Sequence, residues 1–173
     1  MGQEQPLVNR VAASSLITLD LETLLPSEDQ LAHFDIKDYL FHGLILKEKD
    51  FRAALKEHDW SQYEGKTLLV YCSSDAIIPL WSYMLVTSYA SPVVEDLFQG
   101  DFKAYQQQYL LNAIKNMDVT PYVDQRIVIK GCSKEEVPTA AYLDLTHKLR
   151  PHAKSIMFGE PCSTVPIYKK PRK

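Results

Sequence analysis

The sequence predicts an α/β fold: a single domain in which a mostly parallel sheet is covered by helices. Short β-rich apolar runs alternate with segments of helical length through the carboxyl-terminal part of the chain, and this alternation is typical of parallel sheets with covered faces. The 173 residues, 46% of them hydrophobic, suffice for one domain with a substantial core. Because no linker interrupts the chain, we treat residues 1–173 as one domain, with an amino-terminal elaboration over 1–65 and repeated βα units over 66–168.

The amino-terminal 65 residues give mixed local patterns. The apolar run over residues 16–21 favours a strand. Residues 34–46 fit neither the helical nor the strand period. A helical stripe follows, formed by Phe51, Ala54, Leu55 and His58.

Regular alternation begins at residue 67. Residues 67–72 form a β-rich run, short enough for a strand that is buried on both faces. Residues 79–90 predict an apolar helix with Pro79 at its first position, where no amide hydrogen bond is needed. A short strand is expected over 93–98. The next helix is predicted by seven residues on one helical face, which are Phe102, Tyr105, Tyr109, Leu110, Ala113, Ile114 and Met117.

The last elements repeat this pattern. Residues 127–129 predict a strand, and residues 155–158 predict the final one. Between them, a helix is expected to begin at Pro138 and to end at Pro151. The residues that it turns inward are Ala141, Leu145 and Leu149.

Charge and hydropathy exclude several classes of partner. The formal net charge is −3, and we interpret the basic cluster over residues 169–173 as a solvated chain end, so no nucleic-acid partner is expected. No run approaches the 18 apolar residues of a membrane span, and no signal peptide is recognisable, so no membrane association is expected. Three scattered cysteines favour a reducing cytoplasm over a disulfide framework.

The three cysteines share one phase of the βα pattern. Cys72, Cys132 and Cys162 are separated by 60 and 30 residues, and each follows an apolar run and precedes a serine. One βαβ unit takes about 30 residues. We therefore expect all three thiols at the carboxyl ends of strands, on one edge of one sheet, where open parallel sheets bind ligands.

Thiolates in this arrangement indicate a metal centre. Cysteine sulfur is the preferred ligand of zinc and of iron–sulfur clusters. The sequence predicts that the three cysteines hold an iron–sulfur cluster or zinc, with the fold rather than a local motif gathering the ligands. The candidates for a further ligand are Glu160, Asp75, His42 and His147.

Two alternatives stay open for the cysteines. In the first, Cys132 is a catalytic nucleophile or sulfur carrier, because Lys130, Lys134 and a following helix would lower the pKa of its thiol. In the second, the cysteines are buried packing groups of a protein-interaction module. The sequence does not decide whether the protein is an enzyme.

Other catalytic patterns are weaker or missing. No glycine-rich phosphate loop, no Cys-x-x-Cys pair and no Gly-x-Ser-x-Gly elbow occurs. Asp35, Asp38 and His42 are close enough in sequence for an acid–base set, although their segment also fits a solvated charged face.

Six segments of the chain resemble a bacterial family known as domain of unknown function 2480. The segments are residues 9–20, 34–39 and 43–52, and the cysteine loops 71–75, 129–133 and 158–166. The resemblance covers nearly the whole chain and carries no assigned activity. Similar proteins tend to be encoded beside iron–sulfur assembly factors. The resemblance therefore implies a role in handling iron, sulfur or clusters, with iron–sulfur assembly proteins as partners.

Overall fold

The computed structural model describes residues 16–131, 136–160 and 163–171. In these residues the strands are β1 (Leu16–Leu19), β2 (Leu31–Asp35), β3 (Thr67–Tyr71), β4 (Asp96–Gln99), β5 (Arg126–Ile129), β6 (Ser155–Glu160) and β7 (Ser163–Lys169). The α-helices are α1 (Glu48–Glu57), α2 (Leu80–Ala90), α3 (Phe102–Asn116) and α4 (Thr139–Leu149). One sheet is all parallel and the other is mostly parallel. The predicted α/β class is confirmed.

The chain folds into two compact units, with one boundary between Leu25 and Pro26 and the other within α3. Residues 26–108 form one of them, called here the inserted unit. The described residues up to Leu25 and from Tyr109 onward form the other, called here the split unit. The predicted amino-terminal elaboration contributes one strand to the sheet of each unit, β1 to the split unit and β2 to the inserted unit.

The inserted unit contains a three-stranded parallel sheet of order β2-β3-β4, connected by α1 and α2. Phe34 on β2, Leu68 on β3, Leu55 on α1 and Val86 on α2 are buried in one hydrophobic cluster. Apolar side chains from the strands and from both helices thus form its core, as expected for a βαβαβ arrangement.

The split unit contains a four-stranded sheet of order β1-β5-β6-β7. β1, β5 and β6 are parallel, and β7 returns antiparallel to β6. On α4, Ala141, Leu145 and Leu149 are fully buried, which confirms the predicted inward face. On α3, Leu110 and Ile114 enter the same core.

The local sequence patterns did not predict every element or its bounds. β2 occupies residues 31–35 and is followed by a short 3-10 helix over Ile36–Tyr39. The 34–46 segment therefore contains the end of a strand and a 3-10 helix, which explains why it fits neither period. β4 begins at Asp96, three residues later than predicted. β7 was not predicted; it contains Pro166, which an edge strand tolerates because its outer amides need no partner.

The two units follow the same chain path, with matching positions 59 residues apart. Asp59 and Asp118 each lie just before a short 3-10 helix, and each accepts the backbone N–H two residues on, from Ser61 at 3.0 Å and from Thr120 at 2.9 Å. Each serine or threonine hydroxyl also donates to the same aspartate oxygen. The same local sequence chemistry therefore builds the same turn in both units.

The correspondence continues into the following turn. Gly65 and Asp124 both have positive φ, at 67° and 55°. Their backbone N–H groups donate to the carbonyls of Val93 and His152, again 59 residues apart. The helices α2 and α4 have 11 residues each and begin directly after a proline. The fold is thus a duplicated βαβαβ path, and in chain order the inserted unit lies between β1 and the second half of α3.

Candidate functional site

Three ionisable side chains lie at the carboxyl ends of the parallel strands in the split unit. Asp20 follows β1, Lys130 follows β5, and Glu160 is the last residue of β6. The Lys130 Nζ atom donates to Asp20 Oδ2 at 2.6 Å, so the ends of β1 and β5 are joined by an ion pair. This edge is where open parallel sheets bind ligands.

Each member of this ion pair has a pKa that favours its charged form. The hydrogen bond from Lys130 lowers the pKa of Asp20, and burial opposes it only in part. The same bond raises the pKa of Lys130, and the charges of Asp20, Glu160 and Glu22 add to this effect. Lys130 is therefore the cation around which the carboxylates of this edge are arranged.

Glu160 completes the edge with a buried carboxylate oxygen. Its Oε1 atom is inaccessible to solvent and has no hydrogen-bond partner among the described residues. Burial of an unpaired carboxylate oxygen is unfavourable, because water no longer solvates it and no donor replaces the water. The described residues thus leave this acceptor without a donor.

Two of the predicted metal-binding cysteines, Cys132 and Cys162, lie outside the described residues, as does Lys134. The strands that precede these cysteines are nevertheless neighbours. β5 and β6 are parallel and paired through to Ile129 and Phe158. Cys132 comes three residues after the end of β5, and Cys162 two residues after the end of β6.

Cys72 follows β3, which belongs to the three-stranded sheet. The expectation that all three cysteines share one edge of one sheet is therefore wrong. The physical reason is that the βα pattern is duplicated along the chain. The second copy forms a separate sheet and does not extend the first one, so equal positions in the pattern can lie in different sheets. For Cys72, phase within the repeat predicts the carboxyl end of a strand, as the structure shows, but it does not predict to which sheet that strand belongs.

The surroundings of Cys72 are those of a half-buried thiol in a pocket. Its Sγ–H donates to the carbonyl of Ser74 at 3.5 Å. The pocket of about 640 Å³ beside it also contains Tyr83 and Gln99. Burial raises the pKa of Tyr83, and the nearby Cys72 adds to the effect.

The remaining ligand candidates are dispersed. Asp75 is exposed in the loop after β3. His42 lies in an exposed turn against the ring of Phe41, and His147 is exposed on α4. Within the described ranges, no group of three or more His, Cys, Asp or Glu side chains is arranged to hold a metal ion.

Asp35 has a local structural role. It accepts the backbone N–H of Lys37 and that of Ser73, both at 3.0 Å, and so ties the end of β2 to the loop after β3. Burial alone would raise its pKa, but the hydrogen bonds from Ser73 and Lys37 outweigh burial and lower it. Among the described residues no hydrogen bond joins Asp35 to Asp38 or His42, both of which are exposed.

Sequence reasoning missed the Asp20–Lys130 pair. The two residues are 110 positions apart, and neither belongs to a recognisable motif. A usable signal did exist, since each directly follows an apolar strand whose carboxyl end is the expected ligand-binding edge.

Comparison with known proteins identifies the family. The family model described as "Protein of unknown function (DUF2480)" matches residues 5–170, nearly the whole chain. The chain belongs to this family. The predicted resemblance is confirmed, and the family description assigns no activity. No curated protein and no solved structure matches the chain.

The helices in the described parts of the chain are too short or too polar to cross a membrane. None of them combines the length and the apolar composition that a membrane span needs.

Proposed function

We propose that the chain binds a metal ion, either zinc or the iron of an iron–sulfur cluster, through Cys132, Cys162 and Glu160. The observation that carries the proposal is the buried Glu160 Oε1 atom, which has no hydrogen-bond donor among the described residues. A metal ion would replace the missing donor, since carboxylate oxygen is an accepted zinc ligand beside thiolate sulfur.

The connectivity of the chain supports the same ligand set. Neighbouring strands lie about 4.8 Å apart, and consecutive Cα atoms are about 3.8 Å apart. Cys132 and Cys162 follow the ends of β5 and β6 by three and two residues in the sequence, and these two strands are paired neighbours. Cys72 belongs to the other sheet, and the proposal does not require it.

Three protein ligands leave one coordination position of a tetrahedral ion open. An open position is what a catalytic or transferable metal requires, whereas a purely structural zinc site is closed by four protein ligands. Lys130, held by Asp20 beside this edge, would offset part of the negative charge of two thiolates and a carboxylate.

The biological role that we propose is that of a cytoplasmic accessory protein of iron–sulfur cluster assembly, with assembly proteins as partners. The support is the scattered, odd set of cysteines, which suits a reducing compartment. The implied association of similar proteins with assembly factors agrees with it.

Metal analysis of the purified protein tests this proposal. Anaerobic purification from iron-replete cells should give a coloured protein with near-stoichiometric iron and sulfide, or a colourless one that holds zinc. Cys132→Ser and Cys162→Ser should each abolish metal binding, and Glu160→Gln should weaken it. Cys72→Ser is the matched control and should retain the metal. Metal-free wild-type protein, or full metal content in Cys162→Ser, would refute the proposal.

Alkylation of metal-free protein separates the two alternatives. A thiol enzyme or sulfur carrier needs Cys132 to react much faster than the other cysteines, because only an accessible thiolate is nucleophilic. This alternative has less support, since Lys130 already neutralises Asp20. Reaction of all three thiols only after unfolding would indicate packing cysteines in a protein-interaction module.

A further inference from the structure

An open groove in the split unit combines cationic side chains with apolar ones, and it is distinct from the edge formed by Asp20, Lys130 and Glu160. Its volume is about 660 Å³, within the usual range of ligand sites. We propose that this basic groove binds a small anionic molecule with an apolar body. The basic groove is lined chiefly by Arg126, Lys154, Lys169, Lys170, Met157 and Pro166.

Strand register explains why these residues meet. Leu16, Arg126, Ser155 and Lys169 are paired across β1, β5, β6 and β7, in a row at the amino ends of the three parallel strands. This end of the parallel strands is opposite to the one that carries Lys130 and Glu160. The basic groove and the proposed metal site are therefore separate.

Side-chain alternation places the apolar lining on the same face as the cations. Met157 is two residues beyond Ser155 on β6, and side chains two residues apart share a face. Pro166 is its partner on β7, after a register shift between Ile156 and Met157. Ile127, next to Arg126, is buried on the other face, in the core that contains α4 residues. The basic groove thus opens on the face that does not carry these helices.

The basic groove is locally positive, although the net charge of the whole chain is negative. The formal net charge of the protein is −3, yet four cationic residues converge here. Lys170 forms an ion pair with Asp124 at 2.7 Å. Among the described residues, Arg126, Lys154 and Lys169 have no ion pair within 4 Å, and all three are exposed. A surplus of cationic donors is thus available to an anionic head group.

The apolar residues that line the basic groove indicate the chemistry of the ligand beyond its anionic head group. Leu16 and Met157 are half-buried, and Pro166 adds an exposed apolar surface beside them. A free inorganic anion would leave this surface uncovered, whereas an apolar chain would remove it from water. The shared chemistry is that of an alkyl or acyl chain ending in a phosphate or carboxylate.

Isothermal titration calorimetry with octyl phosphate tests the proposal on the full-length protein. Wild-type protein should bind octyl phosphate, and should bind octanol and inorganic phosphate at least tenfold more weakly. Arg126→Gln and Lys154→Gln should each weaken binding of octyl phosphate about tenfold, because each removes one charge-assisted hydrogen bond. Lys56→Gln, an equal charge change at an exposed site on α1, should leave the affinity unchanged. Circular dichroism confirms that each variant is folded.

Each alternative outcome contradicts a specific part of the proposal. Octanol that binds as tightly as octyl phosphate would refute the role of the cations, and inorganic phosphate that binds as tightly would refute the role of the apolar lining. Equal affinity in wild-type protein and a folded Arg126→Gln, Lys154→Gln double variant would place the ligand elsewhere. Absence of octyl phosphate binding at millimolar concentration would overturn the proposal as a whole.

Discussion

Acid should destabilise the inserted unit, because His58 is held neutral among aromatic side chains. The His58 Nδ1 atom lies 3.2 Å from the Tyr39 hydroxyl, and Nε2 lies 3.0 Å from the Tyr63 hydroxyl. The side-chain amide of Gln62 is also 3.3 Å from Nε2. An amide N–H can only donate, so Nε2 accepts and the Nδ1–H group donates to Tyr39. Protonation of Nε2 would place two donors face to face.

The direction of the effect follows from the pKa. Burial lowers the pKa of His58, and the charge of Asp59 opposes burial only in part. Well above pH 6.5, His58 is neutral in both states, and its titration does not affect stability. As the pH falls below 6.5, the unfolded chain takes up a proton that the folded chain resists, so stability is lost until the pH reaches the folded-state pKa.

The magnitude has an upper limit. One proton changes the free energy of unfolding by at most about 1.4 kcal/mol per pH unit, so the loss between pH 7.5 and 5.5 is at most about 1.4 kcal/mol. A loss of 1 kcal/mol lowers the melting temperature of a chain of this size by about 2–4 °C.

Urea denaturation at several pH values measures this contribution. The free energy of unfolding of the wild type should fall more steeply between pH 7.5 and 5.5 than that of His58→Gln, which cannot titrate. The difference between the two slopes isolates His58 from all other groups. Identical slopes in the two proteins would refute the reasoning.

Two further predictions concern stability. Leu145→Ala should lower the free energy of unfolding by about 2–5 kcal/mol, because Leu145 is fully buried. Leu143→Ala on the same helix should change it by less than about 0.5 kcal/mol, because Leu143 is 70% exposed. Equal effects of the two variants in thermal denaturation would contradict the packing of α4. Gly65→Val should cost at least about 1–2 kcal/mol, because φ is +67° at Gly65 although nothing lies within 4 Å of an added Cβ. Gly65→Asn should cost less, as the aspartate at the matching position 124 suggests; if asparagine is no better tolerated than valine, backbone conformation is not the constraint.

The sequence predicted those elements whose identity depends on near neighbours. The β-rich run of β3 and the inward face of α4, with Ala141, Leu145 and Leu149, are local patterns, and the structure agrees with them. β2 carries the polar His33 and Asp35 among its five residues and becomes a strand by pairing with β3. Its local pattern was therefore ambiguous, and only a tertiary contact resolves it.

The sequence could not predict which distant strands pair with each other. The local apolar runs do not indicate whether β1 or β3 is the neighbour of β5. Because β1 is the neighbour, Cys72 follows a strand of a different sheet from the strands that precede Cys132 and Cys162. Glu160 was found as a ligand candidate because it is close to Cys162 in sequence. Asp20 was not, because its partner Lys130 is 110 residues away.

The position of the inserted unit between β1 and the second half of α3 has a consequence for synthesis on the ribosome. β2, β3 and β4 are consecutive in the chain, so their sheet can form as soon as residue 99 has emerged. Among the described strands, β1 pairs only with β5, and Leu16 must therefore wait for Arg126. At about 5–20 residues per second, β1 spends roughly 5–20 s without β5, its partner in the sheet. The inserted unit is thus the first that can fold, and the split unit closes only when most of the chain has been made.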